Sequence, residues 1–208
     1  MRECDAFMGE DMPDNISLET KATVRPATAA DNEQIAAIWN YEVQWTNATF
    51  DTDLRTPEQQ AAWLAAHSDA YPTIVIAMGQ EVVAYGALSP YRTKPAYVKT
   101  VEDAVYVKVG HRGQGFGHSL LRHLLELARA RHYHAIMARI SGGNEASIRL
   151  HERHGFGLVG IEREIGFKFG RWQDVVVMQC LLNTGELPPS NEEQFQTERM
   201  RESASRLS

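Results

Sequence analysis

Residues 100–130 constrain this chain more than any other stretch. Val101, Val105, Val107 and Val109 alternate with Glu102, Tyr106 and Lys108, a period of two that predicts a strand with β-branched residues on one face. Glycines follow at 110, 113, 115 and 117, where the missing Cβ lets a backbone approach a ligand closely. Leu121, Leu124, Leu125 and Ala128 then recur at helical spacing, giving one apolar stripe. A helix whose first turn is bare offers unpaired N–H groups and the positive end of its dipole, which suits a phosphate or pyrophosphate. Arg112 and His118 add positive charge nearby. Taken alone, the turn fits two readings, a plain strand-to-helix connection and an anion cradle. Two familiar motifs fail: Phe116-Gly117 stands where a P-loop needs Lys-Ser/Thr, and His118 replaces the third glycine of the dinucleotide fingerprint.

The remainder of the chain surrounds this unit. With 208 residues, 43% of them hydrophobic, one domain with an ordinary core is expected. Its span is read as 23–183, between a polar, acidic extension over 1–22 and a Pro/Ser/Glu/Gln-rich tail over 184–208. A net charge of −6 argues against nucleic acid or an anionic membrane as partner, since either needs a broad basic face. Two cysteines, Cys4 and Cys180, make no disulfide framework, and a reducing, cytoplasmic compartment fits best. No secretory signal or bilayer-spanning run is expected.

In order, a short strand at Thr23–Arg25 leads through the cap Thr28-x-x-Asp31 into a helix with Ile35, Ile38 and Trp39 on its stripe. Residues 40–55 read as a polar and aromatic loop, and Thr56-Pro57-Glu58-Gln59 opens a second helix to about His67. Strands over Tyr71–Met78 and Glu81–Leu88 flank Gly79-Gln80, a hairpin signal. After the long helix come a strand at Ala135–Ile140, a helix capped by Asn144 and stopped by Gly155, and strands at Phe156–Ile161 and Val175–Leu182. Gly166-Phe-Lys-Phe-Gly-Arg-Trp172 reads as the loop between the last two.

Arg112-x-x-Gly115-x-Gly117 behind a Val-rich strand resembles the acyl-CoA pyrophosphate loop of the GNAT N-acetyltransferase superfamily. Further blocks are similar to phosphinothricin and methionine sulfoximine N-acetyltransferases: Ser89-Pro-Tyr-Arg-Thr-Lys-Pro-Ala-Tyr97, Thr100-Val-Glu-x-x-Val-Tyr-Val107, Ala146-Ser-Ile-Arg-Leu-His151, His154-Gly-Phe156 and Gly166-Phe-Lys-Phe-Gly-Arg-Trp-x-Asp174. The resemblance implies an α/β fold with a central, mostly antiparallel mixed sheet of about six or seven strands, flanked by helices and with splayed central strands. It implies acetyl-CoA as cofactor, a small amino acid analogue as acceptor, and a homodimer. Under it, Arg112, Gly113, Gln114, Gly115, Phe116, Gly117 and His118 hold the pyrophosphate. Val105, Tyr106 and Val107 supply backbone donors to the thioester carbonyl, while Asn144 and Ser147 meet the cofactor arm. Tyr91, Arg92, Lys94 and Thr100 are expected at the acceptor, with Lys168 and Arg171 framing its pocket, from the same subunit or its partner.

An attacking ammonium must first lose a proton, which a positioned carboxylate can accept. The resemblance assigns this role to Glu102, and periodicity alone also allows a satisfied, partly buried acid there. Asp103 follows it on the opposite strand face, which predicts that the two acids do not share a pocket. His151 shares a helix face with Asn144 and Ser147 and is the candidate for proton transfer or substrate contact, a packing histidine being the other reading. Arg92 and Lys94 read by themselves as a solvated pair, and Asn144 as a plain cap. No metal site is assigned, because His151-Glu-Arg-His154 is one residue short of the zinc-protease spacing. Two rivals remain: acetyl transfer to a polyamine, antibiotic or peptide N-terminus, and a non-catalytic acyl-CoA sensor.

Overall fold

The computed structural model describes residues 22–67 and 69–182. Apart from Ala22, the expected extension and tail lie outside the described residues. Seven strands form one sheet: β1 Ala22–Pro26, β2 Thr73–Met78, β3 Glu81–Pro90, β4 Thr100–Val107, β5 Ala135–Ser141, β6 Gly157–Lys168 and β7 Arg171–Leu181. Their spatial order is β1-β2-β3-β4-β5-β7-β6. Every neighbouring pair is antiparallel except β4 and β5, so the mixed, mostly antiparallel sheet is as the sequence implied. Four helices cover it, α1 Asn32–Trp45, α2 Pro57–Ala66, α3 Phe116–Ala130 and α4 Glu145–Arg153, and among the described residues none is long and apolar enough to cross a membrane.

Alternation along the strands divides the core in two. Ile74 and Ile76 of β2 pack with Val101 and the α3 stripe Leu120, Leu121, Leu124 and Ala128. Val75 faces the other way, onto Ile35 and Ile38 of α1 and Tyr85 of β3. Asp31 anchors the entry to α1, accepting from Thr28 N at 2.7 Å and from both Arg25 terminal nitrogens at 2.7 Å. The guanidinium holds its carboxyl down at about 2. Thr56 caps α2 by accepting from Gln59 N at 3.2 Å, with Pro57 at the first helical position.

The parallel pair is short. β4 meets β5 only over Thr100–Glu102 against Ala135–Met137. Beyond it β4 stays registered with β3 as far as Val107↔Ala84, and β5 stays with β7 as far as Ser141↔Val175. Each strand keeps one full partner, and a wedge opens between them.

Two sequence readings need correction. The first helix runs on to Trp45, so the following loop begins at Thr46 rather than residue 40. The Gly166–Trp172 segment is not a loop but the end of a hairpin, with Gly166↔Gln173, Phe167↔Trp172 and Lys168↔Arg171 in register. Only Phe169 (φ 52°) and Gly170 (φ 71°) turn the chain, a two-residue connection whose phenylalanine hides the usual Asn-Gly signal.

This hairpin braces the loop after α1. Lys168 Nζ donates to Thr49 O at 2.7 Å, and Asn47 Nδ2 donates to Gln173 Oε1 at 3.1 Å. Phe50 lies across Gly166, where a Cβ would stand 2.4 Å from Cε2 and 2.5 Å from Cδ2 of the ring. Gly166→Ala is therefore expected to displace Phe50 and to destabilise the fold by about 1–3 kcal/mol. Chemical denaturation of the variant checks this, and an unchanged midpoint would refute it.

Candidate active site

Two cavities meet in the wedge. The larger, about 740 Å³, runs from the glycine turn and the start of α3 to the middle of β4. The smaller, about 380 Å³, extends from the same part of β4 toward α1, α2 and β3. Asn47, Val105, Tyr106, Asn144 and Ser147 line both, so the two form one continuous space.

The larger cavity matches an elongated anionic ligand. Gly113 and Gly115 have φ of 79° and 85°, and nothing lies within 4 Å of the place a Cβ would occupy. Side chains would be strained there and would fill the groove. Gly115 immediately precedes α3, whose first amides and dipole then face open space. Gly117 does something else: its Cβ would stand 3.2 Å from Leu150 Cδ2, so glycine lets α4 pack closely. Arg112 and His118 line the groove with Gly113, Gly115, Phe116 and Gly117. Arg112 is tied to the buried carboxylate of Glu42, and its Nε donates to Val107 O at 3.2 Å. Gln114 lines neither cavity; its amide braces the turn by donating to Gly110 O at 3.3 Å.

Backbone direction on β4 follows from two bonds. Lys108 N donates to Val83 O on the β3 side, whereas Lys99 O accepts from His134 N on the β5 side. Alternation then points the amides of Val105 and Val107 into the wedge and that of Tyr106 toward β3. Of the three expected donors, Val105 and Val107 have the required direction. Tyr106 instead contributes its ring, stacked on Tyr85 at 5.3 Å and edge-on to Trp39 at 5.2 Å.

Glu102 lines the smaller cavity at the last residue of the parallel ladder. Among the described residues its carboxylate has no hydrogen-bond or ion-pair partner. Burial pushes its pKa up, with Arg139 opposing and Asp103 adding to the rise. Asp103 does point to the other sheet face, yet it lines the same cavity. The expectation that the two acids cannot share a pocket fails because the wedge passes through the sheet.

Across the wedge, His151 Nε2 lies 3.0 Å from Asp103 Oδ2 and its Nδ1 donates to Ser147 O at 2.7 Å. Burial lowers the imidazole pKa, but the Asp103 hydrogen bond and charge together with the Ser147 carbonyl outweigh it, and the net shift is upward. Both ring nitrogens are engaged, as an imidazolium requires. Asn144 Oδ1 accepts from Ser147 N at 3.2 Å, so it does cap α4 while also lining both cavities.

Unpartnered polar atoms mark the same place. Of the six buried side-chain polar atoms without a hydrogen bond among the described residues, Trp39 Nε1, Tyr85 OH, Asp103 Oδ1 and Ser141 Oγ belong to residues lining the smaller cavity, and His111 lines the larger. Such orphans are rare in protein interiors and signal polar ligands.

The expected acceptor residues are not brought together. Tyr91, Arg92, Lys94, Thr100, Lys168 and Arg171 line neither cavity. Arg92 is exposed over the Tyr91 ring, though its charge reaches Glu102. Lys94 caps a 3₁₀ turn, Thr100 starts β4, and Arg171 sits exposed at the hairpin turn. Lys168 is buried against main-chain carbonyls, where burial lowers its pKa; it holds a loop rather than framing the pocket. In the segment at the end of α1 and just after it, Phe50 lines the smaller cavity, Thr46 lines the larger, and Trp45 is 65% exposed. Sequence reasoning missed Arg55, Arg139, Trp63 and Tyr85, all on the cavity wall. Strand and helix periodicity masked Arg139, Trp63 and Tyr85, while Arg55 lies in the loop before α2.

Residues 35–156 match the Acetyltransferase (GNAT) family. The chain belongs to this family. It is 42% identical over 156 residues to a phosphinothricin N-acetyltransferase of Streptomyces coelicolor, covering 73% of this chain and 91% of the relative. A methionine sulfoximine/methionine sulfone acetyltransferase of Pseudomonas paraeruginosa is 38% identical over 170 residues, covering 81% and 99%. A crystal structure of a Sinorhizobium meliloti phosphinothricin acetyltransferase with acetyl-CoA superposes with a TM-score of 0.78 at 33% identity, covering 82% and 94%. The chain is thus a GNAT N-acetyltransferase.

The Asp103–His151 pair yields a stability prediction. With the folded pKa of His151 raised above 6.5, the pair's contribution is complete below pH 6.5 and is lost as pH rises through the folded value. Asp103→Asn should cost about 3 kcal/mol or more at pH 6 and flatten the decline toward alkaline pH. Denaturation series across pH 6 to 9 read both effects, and a variant with the parent's slope would disprove the linkage.

Proposed function

We propose that this enzyme transfers the acetyl group of acetyl-CoA to the amino group of a small amino acid analogue of the phosphinothricin, methionine sulfoximine or methionine sulfone type, with Glu102 receiving the amine's proton. The observation that carries this reading is the position of Glu102: a desolvated carboxylate without a partner, where the groove suited to the donor opens into a small polar cavity. Acetyl-CoA, when bound, supplies an electrophilic thioester. The glycine turn and α3 amides hold its diphosphate, and Asn144 and Ser147 border the path of its arm.

Val105 and Val107 direct their amides into the wedge, where donors stabilise a carbonyl oxygen as it gains charge. A raised pKa makes Glu102 a better proton acceptor than an exposed glutamate. His151, whose pKa Asp103 helps to raise against the effect of burial, favours the imidazolium and gives shape to the wall; a proton it passed on would travel by way of Asp103. The cavity volume of about 380 Å³ favours a small acceptor over a peptide, and the substrates named for the Streptomyces and Pseudomonas relatives are of that size. A cytoplasmic setting agrees with this chemistry.

We further propose a homodimer built on the outer hairpin. Leu158, Val159, Ile161, Ile165, Phe167 and Trp172 are all exposed on β6 and β7, and β6 is an edge strand. Exposed apolar side chains concentrated on one edge hairpin suit an association surface.

Glu102→Gln is expected to keep acetyl-CoA affinity within about twofold and to lower kcat by about 10²–10⁴. In the parent, kcat/KM for the acceptor should fall as pH drops through a value above the ordinary glutamate pKa of 4.5, and this limb should vanish in the variant. Calorimetry with acetyl-CoA and thiol-release kinetics over pH 5 to 9 decide it: binding without any thiol release by the parent would instead favour a sensor. For the dimer, Phe167→Asp should shift the mass seen by light scattering to that of a monomer; a parent that is already monomeric would end this reading.

A further inference from the structure

Two guanidinium groups line the acceptor cavity, and they differ. Arg139 is matched by Glu162, with Nη1 3.0 Å from Oε1 and Nη2 on the other carboxylate oxygen. Among the described residues Arg55 has no carboxylate within ion-pair distance, Asp51 acting on it only at longer range. Its guanidinium carbon lies 4.4 Å from the centre of the Trp39 ring and 4.9 Å from that of Trp63. Burial lowers its pKa, but an arginine stays charged regardless. A half-buried cation without a counter-ion is costly unless something offsets it.

The surroundings fix this residue rather than merely accommodating it. Its amide donates to Asn40 Oδ1 at 2.8 Å, and its carbonyl accepts from Asn40 Nδ2 at 3.0 Å. Nη1 donates to Gln60 Oε1 at 2.9 Å, and the fully buried Gln60 donates in turn to Asn32 Oδ1 at 3.3 Å. Backbone and side chain are both held, and the remaining guanidinium donors have no partner among the described residues. Trp39 Nε1 and Tyr85 OH, two of the unpartnered buried atoms, belong to the same aromatic wall. Arg55 is also absent from the main charges acting on Glu102, which are Arg139, Asp103, Arg92 and Glu162, so a cation here leaves the base free.

We propose that Arg55, with Trp39 Nε1 and the Tyr85 hydroxyl, forms the subsite that grips the acceptor's acid group, a carboxylate or a phosphinate, and so turns its amine toward Glu102. The planar fork suits two oxygens of one acid group, and the tryptophans hold it flat. This rests on the acceptor class proposed above. Arg92, Lys94, Lys168 and Arg171, the cations the sequence suggested for this task, all lie off the cavity wall.

The test compares methionine sulfone with 3-(methylsulfonyl)propan-1-amine, the same molecule without its carboxylate. For the parent enzyme, kcat/KM should favour the amino acid by about 100-fold. In Arg55→Gln this ratio should fall to within several-fold of one, chiefly through a raised KM for the amino acid, while calorimetry finds acetyl-CoA binding retained. Arg55→Met, which keeps an unbranched stem between the rings, carries the same reading should the glutamine variant not melt cooperatively. A ratio unchanged in the folded variant overturns the role of Arg55 and leaves the acceptor class standing. A parent enzyme that accepts the amine as readily as the amino acid overturns both, because no acid group is then being read.

Discussion

The parting of β4 from β5 after three paired residues is the constraint on which the site depends. A continuous ladder would satisfy the amides of Val105 and Val107 within the sheet and would wall off one sheet face from the other. Because β3 holds β4 and β7 holds β5 over their full lengths, the wedge opens without loosening either strand. Donors fixed in a rigid backbone stabilise charge without reorganising, which is what acyl transfer demands of them.

The wedge also explains the arrangement of charge. Glu102 and Asp103 project to opposite faces yet reach one cavity. Asp103 is matched by His151 on α4, so of the two neighbouring carboxylates only Glu102 lacks a partner among the described residues. Its raised pKa follows first from burial, with the like charge of Asp103 adding to it and Arg139 and Arg92 restraining it. A carboxylate tuned in this way needs several elements to be held at once: β4 for the acid, β5 for Arg139, α4 for the imidazole.

The hairpin of β6 and β7 serves the site from outside. Lys168, Gln173 and Gly166 grip the segment after α1 through Thr49, Asn47 and Phe50, which sets one wall of the acceptor cavity. A lysine that looks like a ligand for an acid is spent on main-chain carbonyls, and among the described residues the cavity-wall cation without an ion-pair partner is Arg55, in the loop before α2.

Local chemistry was sufficient for much of this. The valine alternation, the four glycines and the leucine stripe specified a strand, a glycine turn and a helix, since each depends on neighbours in sequence. Thr56-Pro57, Gly79-Gln80 and Asn144 likewise placed caps and a turn. The sequence by itself therefore placed most of the elements and the glycine turn, and its family resemblance named Glu102 as the candidate base. Tertiary structure alone decided which cations line the cavity, that Asp103 shares the cavity of Glu102, and that Gly166–Trp172 is a hairpin. Those outcomes depend on where two strands separate and on which side chains find partners far along the chain, and no local period encodes either.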